Sequence, residues 1–248
     1  MMEVRRCIFN DIVSCRLRDL PLRQESQCDG DAKELNTKIT GLYLVRSASI
    51  CQDNDVLFGE SSNKQCTAIA AYSVLALCEW MPPFTEEHLD KIVRNGDLYY
   101  RECRKHTSEI YLACGELLRT LSFDGVDFQL STFECAEGTF AQVDHLTDSV
   151  ITVMGLGSSV IGQCGFLFTG HLKTVSFVPL SDRQSLIFNS HCVDADNGTC
   201  FGRNRKQGRA RLFKAYNIEA LVSALLADHP RDGAPWQIVM IPFERKDP

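Results

Sequence analysis

A loop of small polar residues, Gly59-Glu-Ser-Ser-Asn-Lys-Gln, runs into Cys66-Thr-Ala-Ile-Ala-Ala, where an apolar helix begins, so Cys66 falls in that helix's first turn. First-turn amides are open donors and the helix dipole is positive there. Both stabilise a thiolate, so the pKa of the thiol is expected to fall. Such a thiolate can attack a carbonyl if an imidazole takes the thiol proton and later returns it to the leaving group. A packed, inert thiol fits the same position, so the partner decides. Six histidines compete. His88 and His106 belong to polar helix surface, His145 to a polar turn, and His229 precedes Pro230 after the last helix, while His171 follows Gly170 between two strands. His191 is the best placed. It ends the run Ser185-Leu-Ile-Phe-Asn-Ser-His191, and strand alternation puts Asn189 and His191 on one face, where the amide can orient the ring.

Other chemistry-bearing patterns are incomplete. The twelve cysteines include no Cys-x-x-Cys, the spacing that supplies half a tetrahedral zinc site, and His191, Cys192 and Cys200 lack a second clustered pair. Cys192-Val-Asp-Ala-Asp-Asn-Gly198 begins like a calcium loop, but its glycine comes one place early and Arg205 stands where a bidentate Glu is required. Gly155-Leu-Gly157 lacks the third glycine and the preceding strand of a dinucleotide fingerprint. Arg203, Arg205, Lys206, Arg209, Arg211 and Lys214 place six cations in twelve residues, a density that suits nuclear import or RNA. They are interspersed with Gly208, Ala210, Leu212 and Phe213, so the run reads as a loop followed by a half-buried strand with a solvated face.

The elements that must position Cys66 and His191 follow from periodicity. Residues 1 to about 40 show no sustained period and read as a loosely ordered N-terminal extension. A short strand is expected at Leu42 to Val45, then a polar loop at Gln52 to Asp55. From Asn63 or Lys64 to Trp80 the chain reads as a buried helix, stopped by Pro82-Pro83. Thr85 caps a second, amphipathic helix to about Lys105, with Gly96 as its point of interruption, and a third is expected over Glu109 to Leu121. Strands are expected at Val126 to Leu130, Thr132 to Cys135, Gly165 to Phe168, Thr174 to Val178, Ser185 to Phe188, Arg209 to Phe213 and Trp236 to Phe243. Val143 to Val160 fits helix or strand, and Asn217 caps a helix from Ile218 to Ala227. Helices followed by strands describe an α+β domain, and 248 residues accommodate one or two domains. A hydrophobic content of 44% and a charged content of 23% exclude a disordered or collagenous chain. The net charge of −6 gives no drive toward nucleic acid or an anionic membrane. With charges where a signal peptide's apolar core would lie, and no long apolar run, the sequence reads as intracellular with mostly reduced thiols.

The frame Phe58-Gly59, Asn63-Lys64-Gln65-Cys66, Gly96-Asp97-Leu98-Tyr99, Ile187-Phe188-Asn189-Ser190-His191, Asp196-Asn197-Gly198, Gly208-Arg209-Ala210 and the helix Ile218 to Leu226 resembles the herpesvirus tegument deubiquitinases. It is more similar still to their tegument-like relatives outside the herpesviruses, over about Ile50 to Ala227. The resemblance implies a papain-like cysteine peptidase fold over residues 41–248, α+β, with N-terminal helices packed on a mainly antiparallel sheet. It implies cleavage after the C-terminal glycine of ubiquitin or a ubiquitin-like modifier, with Cys66 as nucleophile and His191 as general base. The third triad position, usually Asp in the family, is Asn189 here. An amide orients the imidazole without stabilising its cation, so lowered activity, or a ubiquitin-binding protein that does not cut, is the alternative, as is a papain-like peptidase or acyl transferase acting on another substrate. Asp194 or Asp196 could substitute. The family also places a Gln upstream as oxyanion donor; Gln52 is one residue out of that register, and Asn54 is the other amide in the loop. No metal or organic cofactor is implied, and a monomer without nucleic-acid or membrane partners is expected.

Overall fold

The computed structural model describes residues 39–160, 162–193, 208–227 and 229–246, with backbone alone at 192 and 193. The chain divides into the units Met1–Asp31 and Ala32–Pro248, and every described residue lies in the second. Expectations for residues 1–38, Asp194, Asp196, Cys200, Arg203, Arg205 and Lys206 fall outside the described residues.

Cys66 opens α2 (Cys66–Glu79), which lies in the chain between α1 (Asp55–Phe58) and α3 (Glu86–Arg104). In α2 alanines alternate with large aliphatic side chains, nothing breaks the helix, and residues 66–77 are all buried, so it needs no polar face. It stops at Trp80, whose extended backbone leads toward Pro82-Pro83. On one side it is held to the sheet by hydroxyl pairs, Thr67 Oγ1 to Thr174 Oγ1 at 3.1 Å and Ser73 Oγ to Ser176 Oγ at 2.5 Å. On the other side lies α3. Thr85 caps it reciprocally with His88: the hydroxyl accepts from the His88 N–H, and His88 Nδ1 accepts from the Thr85 N–H. The helix runs unbroken through Gly96, because the glycine serves packing: a Cβ there would come within 2.6 Å of Ile69 Cα.

Among the described residues nine strands form the sheet: β1 (Leu42–Ser47), β2 (Thr120–Phe123), β3 (Val126–Leu130), β4 (Phe133–Thr139), β5 (Cys164–Gly170), β6 (Lys173–Pro179), β7 (Ser185–Val193), β8 (Arg209–Ala215) and β9 (Pro235–Arg245). Their order is β1-β8-β7-β6-β5-β9-β3-β2, with β4 also on β9, and all described pairs are antiparallel. Leu167, Val178, Leu186, Phe188 and Leu212 join the core around α2, each contributing about 2 kcal/mol by burial. The alternate residues Phe166 and Phe177 stack with centroids 5.1 Å apart; Gly157 of helix α4 (Val143–Ser158) packs on Phe166 and Pro179. Helix α5 (Ile218–Leu226) is capped by Asn217 Oδ1, which accepts from the Ala220 N–H at 2.7 Å.

The mixture of helices with an antiparallel sheet is the α+β class expected, and Val143 to Val160 resolves to a helix. A further expectation is corrected. No helix forms over Glu109 to Leu121: a short 3-10 turn, Cys114–Glu116, precedes β2. The Glu116 carboxylate accepts from the Ala113 N–H and the Thr107 hydroxyl, and Leu121 is needed opposite Phe128 in the β2–β3 pair. Among the described residues the thiols are mostly reduced, as expected. Cys66, Cys78, Cys103, Cys114, Cys135 and Cys164 are free, and Cys51 is disulfide-bonded. Among the described residues no helix is long and apolar enough to cross a membrane.

Candidate active site

The loop before Cys66 is tied down from two directions. From α3, the buried Asp97 carboxylate accepts from Ser61 Oγ at 2.5 Å and Gln65 Nε2 at 3.4 Å through one oxygen, and from Arg101 Nε at 2.8 Å through the other. Gly96 and Asp97 thus act together, one letting α3 touch α2 and the other fixing the approach to Cys66. From the β7 side, Gln52 is fully buried rather than solvated. Its N–H donates to Ser190 O at 2.9 Å and its side-chain Oε1 accepts from Ser190 Oγ at 2.7 Å. Its carbonyl accepts from the Asn63 N–H at 3.2 Å and from Gln65 Nε2 at 3.4 Å. Gln52 therefore joins the residue before His191 to the residue before Cys66. Its Nε2 is buried and has no partner among the described residues. Asn54, the rival amide, is used elsewhere: its Oδ1 caps α1 by accepting from the Leu57 N–H at 3.1 Å.

Asn189 and His191 meet as strand alternation predicts. Asn189 Oδ1 accepts from the His191 backbone N–H at 3.0 Å and lies 2.8 Å from His191 Nδ1. An atom that receives a backbone N–H must be the amide oxygen, so Nδ1 is the protonated ring nitrogen and Nε2 carries the lone pair. Burial, with the Lys173 ammonium and His229 nearby, pushes the imidazole down to about 3, so it is a neutral base.

Cys66 departs from one expectation. Burial pushes its thiol up, outweighing the hydrogen bonds it receives from Thr174 and Thr67, so the open helix start does not yield a resting thiolate. Its Sγ lies 3.8 Å from Leu172 O, the acceptor for the S–H, and among the described contacts it is not bonded to His191. The site at rest is a neutral thiol and a neutral imidazole. Catalytic hydrogen bonds commonly tighten only when substrate is bound.

Residues that periodicity did not single out surround this pair. Thr174 and Leu172 contact the thiol, and Lys173 and His229 act on His191. His171 stacks on Phe140 and His229, with ring centroids 4.9 and 5.3 Å apart, and its Nε2 is 3.3 Å from Asp232 Oδ1. His171, Leu172, Lys173 and Thr174 are placed by the β5–β6 hairpin, which no turn motif in the sequence announces, and His229 comes from the segment after α5. Among the described residues no group of three His, Cys, Asp or Glu side chains is placed to hold a metal.

No protein-family profile matches the sequence, and no curated protein matches it. Among solved structures, the chain is similar to the ubiquitin-specific protease encoded by murine cytomegalovirus tegument protein M48, solved in complex with a ubiquitin-based suicide substrate. The TM-score is 0.65 at 15% identity, over 82% of this chain and 87% of that one. The likeness is one of fold.

Proposed function

We propose that this chain is a deubiquitinating cysteine peptidase of the papain-like type, hydrolysing peptide or isopeptide bonds after the C-terminal glycine of ubiquitin or a near relative. The observation that carries the reading is the Asn189–His191 pair at the end of β7: its tautomer leaves Nε2 as a base, and Gln52 ties it to the loop that opens α2 at Cys66. The similarity in fold to a viral ubiquitin-specific protease supports the choice of substrate class.

In the proposed reaction the Cys66 thiol gives its proton to His191 Nε2 as sulfur attacks the carbonyl of the modifier's terminal glycine. The Cys66 backbone N–H, at a helix start, and Gln52 Nε2 donate to the oxyanion. His191 then protonates the departing lysine amine, and water activated by the same ring hydrolyses the thioester, regenerating the thiol. The protein acts as a monomer inside the cell and needs no metal or organic cofactor for these steps. The test is release of a fluorophore from the ubiquitin C-terminus: turnover by the wild-type chain and none by Cys66→Ala supports the reading, and equal rates in both overturn it.

One observation favours a second reading. With a protonated thiol bonded toward Leu172 and Asn189 in place of a carboxylate, the chain is a slow enzyme or a ubiquitin-binding protein. Saturable ubiquitin binding without fluorophore release distinguishes it.

A further inference from the structure

Two sets of hydroxyls join α2 to β6, and they differ in where their protons go. In the first, Ser73 Oγ donates to Ala70 O at 2.7 Å, so the contact between Ser73 Oγ and Ser176 Oγ is made with the Ser176 proton and the pair is self-contained. The second is a chain of three. Thr174 Oγ1, buried, lies 3.1 Å from Thr67 Oγ1 on α2 and 3.1 Å from Thr169 Oγ1 on β5. Each hydroxyl carries one proton, so two contacts between three oxygens leave one proton over, and among the described contacts no carbonyl accepts it. The groups at hand are thiols: Cys66 beside Thr174 and Thr67, and Cys114 beside Thr169. Burial pushes Cys114 up to about 11, so it keeps its S–H, for which Thr169 Oγ1 is the acceptor. That turns the Thr169 proton toward Thr174 and the spare proton toward Cys66. The Cys66 S–H already faces Leu172 O, 3.8 Å away, which leaves the sulfur lone pairs to accept. The backbone joins in: described pairing of β6 with β7 begins at Ser176, and the Thr174 N–H donates to the same sulfur.

We propose that Thr174 is a further catalytic residue: accepting from Thr67 and Thr169, its hydroxyl donates to the Cys66 sulfur and stabilises the thiolate as it forms. This rests on Cys66 as the nucleophile proposed above, not on the identity of the substrate. The thiol proton passes from sulfur to His191 Nε2 while the Thr174 O–H bond stays intact. Its hydrogen bond to sulfur then becomes charge-assisted, and the two hydroxyls behind it strengthen it further. The donors that oppose burial at this thiol thus come from β6 as well as from the helix start.

Wild-type, Thr174→Val, Thr174→Ser and Thr169→Val chains are compared in alkylation of Cys66 by iodoacetamide across pH, assigned by peptide mapping, and in release of a fluorophore from the ubiquitin C-terminus. Valine keeps the shape and the backbone N–H and removes only the hydroxyl. Thr174→Val is expected to slow alkylation near pH 7 about tenfold, to raise its pH midpoint by about one unit, and to lower kcat about tenfold with KM little changed. Thr174→Ser is expected to recover most of that loss. Thr169→Val, which takes one donor from Thr174, is expected to slow alkylation about two- to threefold. A Thr174→Val chain within about twofold of wild type, or a loss that Thr174→Ser does not recover, overturns the proposal. Should Thr174→Val lack a thermal unfolding transition, Thr169→Val decides: alkylation as fast as wild type, or faster, means that the spare proton points to Cys114, and overturns it. A wild-type chain that ignores ubiquitin while its alkylation responds to Thr174→Val overturns the function and leaves this inference standing.

Discussion

Asn189→Asp puts a carboxylate in place of the amide that orients His191. Asn189 is 2% exposed, and its Oδ1 lies 2.8 Å from His191 Nδ1 and 3.0 Å from the His191 backbone nitrogen, so a carboxylate oxygen can occupy the same place and keep both bonds. Its charge then favours the imidazolium that burial now suppresses. A carboxylate at this distance raises a histidine by about 1 to 3 pKa units. Arg211, buried and directly opposite Asn189 on β8, brings a cation close to the new charge. It supports the carboxylate and tempers its effect on the ring, which makes about 2 units the reasonable figure. His191 would then titrate near 5 rather than about 3. Because each unit is a factor of ten in proton transfer from thiol to imidazole, the thiolate–imidazolium population should rise about a hundredfold. Alkylation of Cys66 by iodoacetamide near pH 7 and turnover of fluorogenic ubiquitin should both quicken, by about ten- to a hundredfold. Asn189→Ala, which frees the tautomer, should slow both at least about tenfold. If Asn189→Asp moves the His191 titration upward, seen by NMR, yet leaves both rates within about twofold, proton transfer to His191 is not part of the reaction and the assignment of the base is wrong.

Three further predictions rest on other contacts. Gln52→Ala should lower kcat about a hundred- to a thousandfold with KM little changed, as loss of one oxyanion donor does, at a stability cost of about 1 to 2 kcal/mol from the abandoned Ser190 hydroxyl; a kcat within about fivefold of wild type leaves Gln52 as a structural tie only. Gly96→Ala places a Cβ 2.6 Å from Ile69 Cα and should cost about 1 to 3 kcal/mol, read as a fall of about 3 to 10 °C in melting temperature; an unchanged value contradicts the backbone contact between α2 and α3. His191 and His229 are held at about 3 and about 4, below the ordinary histidine value, so the unfolded chain takes up protons that the folded chain refuses as pH falls below about 6.5. Stability should therefore drop by about 1 kcal/mol per histidine per pH unit on acidification, and a denaturation midpoint that is flat between about pH 7 and 5 would contradict the burial of these rings.

What was legible in the sequence was what local patterning controls. The all-round apolar run from Cys66, the Thr85 and Asn217 caps, and the alternation that sets Asn189 beside His191 each depend on residues within one element, and each is present in the structure. The false helix over Glu109 to Leu121 shows the converse. Asp124-Gly125, with both residues left-handed, is a strong hairpin signal; given its weight, it would have assigned Thr120–Phe123 to a strand. The properties that remained illegible arise from contacts far apart in the chain. Gln52 is buried because Ser190 meets it, and the Cys66 thiol is pushed up because helix, hairpin and loop close around it. No dipeptide signal announces a turn made of His171 and Leu172, because its conformation is imposed by Phe140 and His229.

The proposed function makes Cys66 the nucleophile of a site that accepts the C-terminal tail of ubiquitin. Incubation with ubiquitin bearing a C-terminal electrophile, followed by intact-mass and peptide mapping, tests it most directly. One covalent adduct at Cys66, lost in Cys66→Ala and slowed in Gln52→Ala, is the predicted result. An adduct at another cysteine, or no adduct while iodoacetamide still alkylates Cys66, would contradict the account.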